Sequence, residues 1–188
     1  MKVTRAQIPD VLVLEPARHG DRRGFFSETF NRRLYQELGV SCEFVQDNHS
    51  LSQQAGVLRG LHYQAPPMAQ DKLVRCVRGS ILDVAVDIRR GSPTFGRWVG
   101  EVLSAENWRQ MFVPKGFAHG FVTLEPNTEV CYKVSEYYSP EHDRGLRFDD
   151  PDVGIDWRTP ASEATLSDRD RRHPGLAESE ACFEYGRM

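Results

Sequence analysis

Hydrophobic and polar residues alternate with a period of two along the middle of the chain. In KLVRCVRGSILDVAVDIRR, Leu82, Val84, Val86 and Ile88 alternate with Asp83, Ala85, Asp87 and Arg89, and Arg78-Gly79-Ser80 interrupts the run. A period of two lays one row of side chains on each face of a strand, so the stretch predicts two strands joined by a turn. RWVGEVLS, RQMFVPKGFAHGFVTL (broken at Pro114-Lys115-Gly116) and EVCYKVSEYY continue in the same manner. Helical spacing is confined to two short stretches. NRRLYQELG places Leu34, Tyr35 and Leu38 on one stripe, with Asn31 to cap it and Gly39 to stop it. LSDRDRRHPG offers Ser167 as a cap and must end at Pro174. Many short strands without long helices to cross between them predict a mainly β fold, a double-sheet barrel or sandwich with short helices at its margins.

One strand-like stretch breaks the pattern. GVLRGLHYQ alternates Val57, Arg59, Leu61 and Tyr63 with Leu58, Gly60, His62 and Gln64. Whichever face is buried takes an ionisable group with it, which is costly unless that group is paired or used. Gly60 lies between Arg59 and His62, where a bulge or twist would turn both to one side.

Composition narrows the function classes. At 188 residues, with no repeat, low-complexity tract or linker, residues 1–188 are expected to form one domain. A net charge of −3 argues against bulk electrostatic binding of nucleic acid, though not against a local pocket for one small anion. Cys42, Cys76, Cys131 and Cys182 are scattered, and Cys76 and Cys131 fall in apolar runs, as reduced core thiols do. Neither a signal-peptide h-region nor a membrane-spanning apolar run is present, so a cytoplasmic protein without membrane partners is expected.

The common phosphate-loop, dinucleotide, nucleophile-elbow and zinc-helix motifs are absent. What remains is a set of polar residues in strand-like segments: His62, Lys72, His119 and Tyr132. Lys72 shares a face with Val74 and Cys76, His119 with Phe117 and Phe121, and Tyr132 with Val130 and Val134. Singly, each has an ordinary structural reading, as a core histidine, a snorkelling lysine or a packed tyrosine. Asp170 likewise has one, because Ser167-x-x-Asp170 has the spacing of a capping box. Pointing into one cavity, the four groups suit removal of a proton beside a ketone. A neutral histidine takes the proton, an ammonium stabilises the enolate oxygen, and a phenol returns a proton to the opposite face. A carboxylate behind the histidine would favour its imidazolium form. A metal site is the rival: VPKGFAHGF matches the Pro-x-Gly-x-x-His signature of metal-binding cupins, but Gln64 stands where their second histidine falls. Neither metal nor redox cofactor is expected.

DRRGFFSETF, FVQDNHS, GVLRGLHYQ, QDKLVRCVRGSILDVAVDIRRGSPTFG, LSAEN, VPKGFAHGF, YYSPE, DDPDVGIDW and LSDRD, in that order, resemble the RmlC-type dTDP-4-dehydrorhamnose 3,5-epimerases over nearly the whole chain. The resemblance implies a cupin-like jelly roll, a homodimer with an exchanged N-terminal segment, and C-terminal short helices. It implies a dTDP-linked 4-keto-6-deoxy-hexose as substrate, epimerised at C3 and C5 without cofactor on the way to dTDP-L-rhamnose. Position by position, it makes His62 the base supported by Asp170, Lys72 the enolate stabiliser and Tyr132 the proton donor. Arg23, Glu28, Gln46, Asn48, Arg59 and His119 match substrate-binding positions, and Phe26 and Tyr138 match aromatics placed against the nucleotide base. Arg169 replaces a common lysine and Asp143 a common glutamate, changes that keep charge and alter reach. A diphosphate suits bidentate arginine donors such as Arg23 and Arg59. A single-centre epimerase, a ketoisomerase of the same fold, a metal cupin and a sugar-binding cupin stand as alternatives.

Overall fold

The computed structural model describes residues 1–187. Its strands are β1 (Lys2–Arg5), β2 (Leu12–Glu15), β3 (His19–Asp21), β4 (Gly24–Phe26), β5 (Gln46–Ser52), β6 (Leu58–Gln64), β7 (Lys72–Arg78), β8 (Ser80–Asp87), β9 (Trp98–Ser104), β10 (Gln110–Val113), β11 (Phe117–Thr123), β12 (Thr128–Val134) and β13 (Asp143–Gly145). One α-helix, α1 (Arg32–Glu37), follows β4, and a 3-10 turn covers Asp170–Arg172. A six-stranded sheet runs β1-β2-β10-β7-β12-β5 and a five-stranded sheet β13-β6-β11-β8-β9, with β3-β4 as a separate hairpin. All the strand pairs within these sheets are antiparallel. The result is a double-sheet jelly roll.

The chain changes sheet at its turns, and that determines what each strand buries. β7 pairs with β10 and β12, whereas β8 pairs with β11 and β9. The Gly79 turn therefore links two sheets and does not close a hairpin. Pro114-Lys115-Gly116 does the same between β10 and β11. Period-two alternation is identical in a hairpin and in a pair of strands split between sheets, so the pattern cannot separate them.

Three apolar layers result. Val74, Cys76, Ile81, Ala85, Met111, Phe117, Phe121 and Val130 fill the space between the sheets. Leu58, Leu61, Tyr63, Leu82, Val84, Val86 and Ala118 cover the far face of the five-stranded sheet, against Leu146, Phe148, Trp157 and Phe183 of the C-terminal segment. Leu12, Leu14, Leu73 and Phe112 lie under Tyr35 of α1 and Val40. β8 is buried along its whole length, so its alternating acids are enclosed: Asp83 and Asp87 are both 0% exposed.

At the margins, α1 forms as expected, with Asn31 Oδ1 accepting from the Leu34 N–H at 3.2 Å. The second expected helix shrinks to the 3-10 turn, with Ser167 Oγ accepting from the Asp170 N–H at 3.1 Å. Pro174 permits no further turn, so the C-terminal short helices amount to this one among the described residues. Cys76 is a core thiol, whereas Cys131 is only half-buried, because it alternates with inward-facing Val130 and Tyr132. All four cysteines are free.

Candidate active site

The site opens between the two sheets, and β6 supplies its unusual element. His119 of β11 opposes His62, while Phe121 opposes Arg59, so β6 carries one more residue than β11 between these pairs. That is a bulge, and it centres on Gly60 (φ +122°). A Cβ on Gly60 would lie 2.6 Å from the Gly120 Cα and 2.8 Å from the His119 carbonyl oxygen, so two backbones approach where only glycine fits. Beyond the bulge the alternation is reset: Leu58 and Leu61 pack outward, while Arg59 and His62 face one cavity. The irregularity expected from GVLRGLHYQ is present.

That cavity, of about 300 Å³, is lined by Arg59, His62, Lys72, His119, Tyr132, Arg169 and Asp170. His62 Nε2 lies 2.6 Å from Asp170 Oδ1. A carboxylate only accepts, so Nε2 carries the hydrogen and the neutral ring keeps its lone pair on Nδ1. Burial lowers the basicity of His62 below the ordinary imidazole value, and the hydrogen bond and charge of Asp170 pull against it. Burial alone would raise the Asp170 carboxyl, but His173 and His62 outweigh it and hold the group well below the usual carboxylate range. Lys72 is 8% exposed; its Nζ donates to the His62 carbonyl oxygen at 3.2 Å. Burial pulls Lys72 down to about 8, with Asp143 and Asp83 opposing. Tyr132 is pushed up by burial, while Arg59 acts in the other direction.

A smaller recess of about 140 Å³ shares His62, Lys72 and Tyr132 with the main cavity and adds Gln46, Asn48, Tyr138 and Asp143. Gln46 Nε2 donates to Asn48 Oδ1 at 2.9 Å, and Gln46 Oε1 accepts from the Tyr138 N–H at 3.1 Å. Asp143 accepts from Arg169 at 2.7 Å and from the Tyr138 hydroxyl at 3.0 Å, so the two positions of altered reach pair with each other. Glu28 and Asn48 border a third recess, about 510 Å³, whose other walls include Arg75 and Lys133. Arg23 and Phe26 line none of these recesses. They lie on the exposed β3–β4 hairpin, where Arg23 pairs with Asp21.

Sequence reasoning missed two residues. Asp83 reaches His119 Nε2 at 2.8 Å from the inner face of β8, where its alternation with apolar residues was the only sign. His173 stands 3.7 Å from Asp170 Oδ1, and nothing in RRHPG distinguishes it from a surface histidine. His62, Asp170 and His173 also form a possible metal donor set. The 2.6 Å between His62 and Asp170 is shorter than the roughly 3.3 Å that separates two ligands on a tetrahedral zinc with 2.0–2.1 Å bonds. Gln64, in place of the second cupin histidine, binds loop backbone through Met68, Tyr137 and Ser139. As arranged, these residues do not fit an ion.

A histidine–aspartate pair, an ammonium and a phenol line one cavity of a cupin-like jelly roll, and similarity to known proteins places the chain among the isomerases. The chain belongs to the dTDP-4-dehydrorhamnose 3,5-epimerase family, whose model matches residues 5–178. It is 54% identical over 185 residues to the dTDP-4-dehydrorhamnose 3,5-epimerase of Pseudomonas aeruginosa, covering 97% of this chain and 99% of that one. It is 54% identical over 171 residues to the enzyme of the same name from Shigella flexneri, covering 90% and 93%. The crystal structure of the Legionella pneumophila epimerase RmlC in complex with dTDP-4-keto-L-rhamnose superposes with a TM-score of 0.93 at 46% identity, covering 98% of each chain.

Proposed function

We propose that this enzyme inverts C3 and C5 of dTDP-4-keto-6-deoxyglucose, with His62 as base, Lys72 at the enolate oxygen and Tyr132 as acid. His62 Nδ1 takes the proton from the carbon beside the C4 ketone, and the C–H electron pair moves to the ketone oxygen. Lys72 meets that oxyanion with an ammonium in a dry site, where a fixed charge acts most strongly. The Tyr132 O–H protonates the opposite face, and exchange with solvent resets both groups before the second centre reacts. Asp170 stabilises the imidazolium formed in each round. The 2.6 Å His62–Asp170 contact beside Lys72 and Tyr132 carries this reading. Burial keeps the phenol protonated until it is needed, and Arg59 eases the phenolate left behind.

Arg59, with Arg23 from a second copy, serves the diphosphate. Phe26 and Tyr138 flank the nucleotide base, and Glu28, Gln46, Asn48, His119, Asp143 and Arg169 hold the rest of the substrate. The β3–β4 hairpin, with Phe26 72% exposed, reaches into the partner's site in a cytoplasmic homodimer of single-domain chains. No helix among the described residues is long and apolar enough to cross a membrane.

Incubation with dTDP-4-keto-6-deoxyglucose in heavy water tests the chemistry. Deuterium is expected at C3 and C5; uptake at one position assigns a single-centre enzyme, and uptake at neither removes the proposal. Tyr132→Phe should lower inversion about 100-fold, mostly in kcat, while exchange at the substrate face persists. Unchanged turnover would remove Tyr132 from the mechanism.

A further inference from the structure

His173 is a buried imidazole that the reaction just described does not use. Its Nε2 is enclosed and has no hydrogen-bond partner among the described residues. Its side chain is 10% exposed, and Nε2 lies 3.7 Å from Asp170 Oδ1, the same oxygen that His62 Nε2 contacts at 2.6 Å. The His173 ring also meets the His62 ring edge to face, at 5.6 Å between centroids and 76° between planes.

The seat of this ring is specific. Gly145 opposes His62 in the β13–β6 register, and a Cβ there would fall on the His173 ring, 2.5 Å from Cε1 and 2.6 Å from Cδ2. His173 is in extended backbone (φ −64°, ψ 145°), as the residue before a proline must be. The Pro174 carbonyl oxygen accepts from the Arg147 N–H at 2.9 Å, tying this segment to the strip beyond β13. A missing side chain on one strand, a proline and a backbone bond thus place one imidazole against the base and its carboxylate.

We propose that His173 is a positioning residue for the base: it shares Asp170 with His62 and so limits how strongly that carboxylate supports the His62 imidazolium. A donor offered to Asp170 by His173 takes negative charge away from His62, keeping His62 a neutral, ready base at lower pH. The charged and titratable groups around His62 are Asp170 from the 3-10 turn, Lys72 from β7, Asp143 from β13, His119 from β11 and Tyr132 from β12, with Arg59 and Arg169 in the same cavity; Gly145 adds none where His173 sits. At 3.7 Å no hydrogen bond is made, so in this geometry His173 acts on Asp170 through its field, and a shift of about 0.5 Å would close the bond.

The inference rests on His62 as base, and the test separates the two. The pH dependence of kcat/KM and the titration of ¹⁵N-labelled imidazoles are measured for the wild type, His173→Leu, His173→Gln, Gly145→Ala and His62→Ala. His173→Leu should move the acid limb and the His62 titration upward by at least about half a pH unit, because Asp170 then serves one imidazole. His173→Gln, which keeps a donor, should restore the wild-type limb. Gly145→Ala, whose new methyl displaces the native ring, should reproduce the shift of His173→Leu. If His173→Leu does not fold, Gly145→Ala and the titration of His173→Gln carry the comparison. A limb and titration that stay in place or move downward in His173→Leu or Gly145→Ala overturn the proposal and leave His173 a packing group. Full activity in His62→Ala overturns the base assignment instead.

Discussion

Two buried charge clusters stand within the same jelly roll, one saturated with partners and the other left short of them. Asp87, at the end of β8, accepts from Arg89 N–H at 3.0 Å, Nε at 2.9 Å and Nη2 at 2.8 Å, and from the hydroxyls of Ser92 and Thr94 at 2.6 Å each. Arg89 also reaches Asp10 at 3.1 Å, and its guanidinium lies 4.5 Å and 5.0 Å from the ring centres of Phe117 and Tyr185. In the cavity, Lys72 has three N–H donors and one protein acceptor, the His62 carbonyl oxygen. Asp83 Oδ2 and His173 Nε2 have no hydrogen-bond partner among the described residues. Burial raises the same demand in both clusters, so the difference marks purpose. The first cluster closes a bend in the chain, and the second leaves polar atoms unpaired beside the cavity, as the proposed substrate site requires.

Breaking the saturated cluster should have the larger effect on stability. Arg89→Met leaves Asp87 buried with only two hydroxyls and the residue-89 backbone N–H among the partners named above, and removing one member of a buried pair costs about 3–5 kcal/mol. Chemical denaturation should show that loss, while kcat per folded molecule changes little. An Arg89→Met protein as stable as the wild type would show that the cluster contributes nothing net.

Breaking the unsaturated cluster should do the reverse. Lys72→Met removes the ammonium assigned to the enolate oxygen in the proposed mechanism and should lower kcat about 100- to 1,000-fold, as loss of an oxyanion donor does. Stability should rise at pH 7, because the fold no longer buries an ammonium. The sign follows from the proton balance. Lys72 holds its proton up to about 8 in the folded chain and up to 10.5 when unfolded. Below pH 8 both states are protonated and the penalty is complete; between pH 8 and 10.5 the unfolded state binds more protons, so stability rises with pH. The wild type should therefore gain on Lys72→Met across that window by about 3 kcal/mol. A constant difference between the two would place the ammonium in water.

The two clusters also differ in how far the sequence reveals them. Lys72, His119 and Tyr132 are legible because each interrupts an apolar row of a strand, and a polar residue there is either paired or used. Arg59 and His62 become legible together only through Gly60, since strict alternation would separate them. Asp170 satisfies both of its readings at once: its N–H meets Ser167 as a cap would require, and its carboxylate meets His62. Asp83 and Asp87 occupy equivalent positions in one alternating run, and nothing local tells that one faces a histidine and the other an arginine two residues on. That distinction arises from the sheet change at Gly79 and the bend after β8, which are tertiary events. His173 depends on a vacancy at Gly145, which is remote in sequence and close only after folding.

The smallest effect expected is also the most direct reading of the unsaturated cluster. The proposed mechanism requires His62 neutral and Lys72 protonated, so kcat/KM should be bell-shaped in pH. Burial lowers both groups, so the acid limb should fall below the ordinary imidazole value of 6.5 and the alkaline limb near 8. Beyond either limb, activity should fall about tenfold per pH unit, following loss of the correct protonation state. Lys72→Arg carries a charge that persists above pH 12, so whatever activity it retains should lose the alkaline limb near 8 and keep the acid one. An alkaline limb that remains near 8 in Lys72→Arg would assign that titration to another group and leave the ammonium of Lys72 without its role at the enolate oxygen.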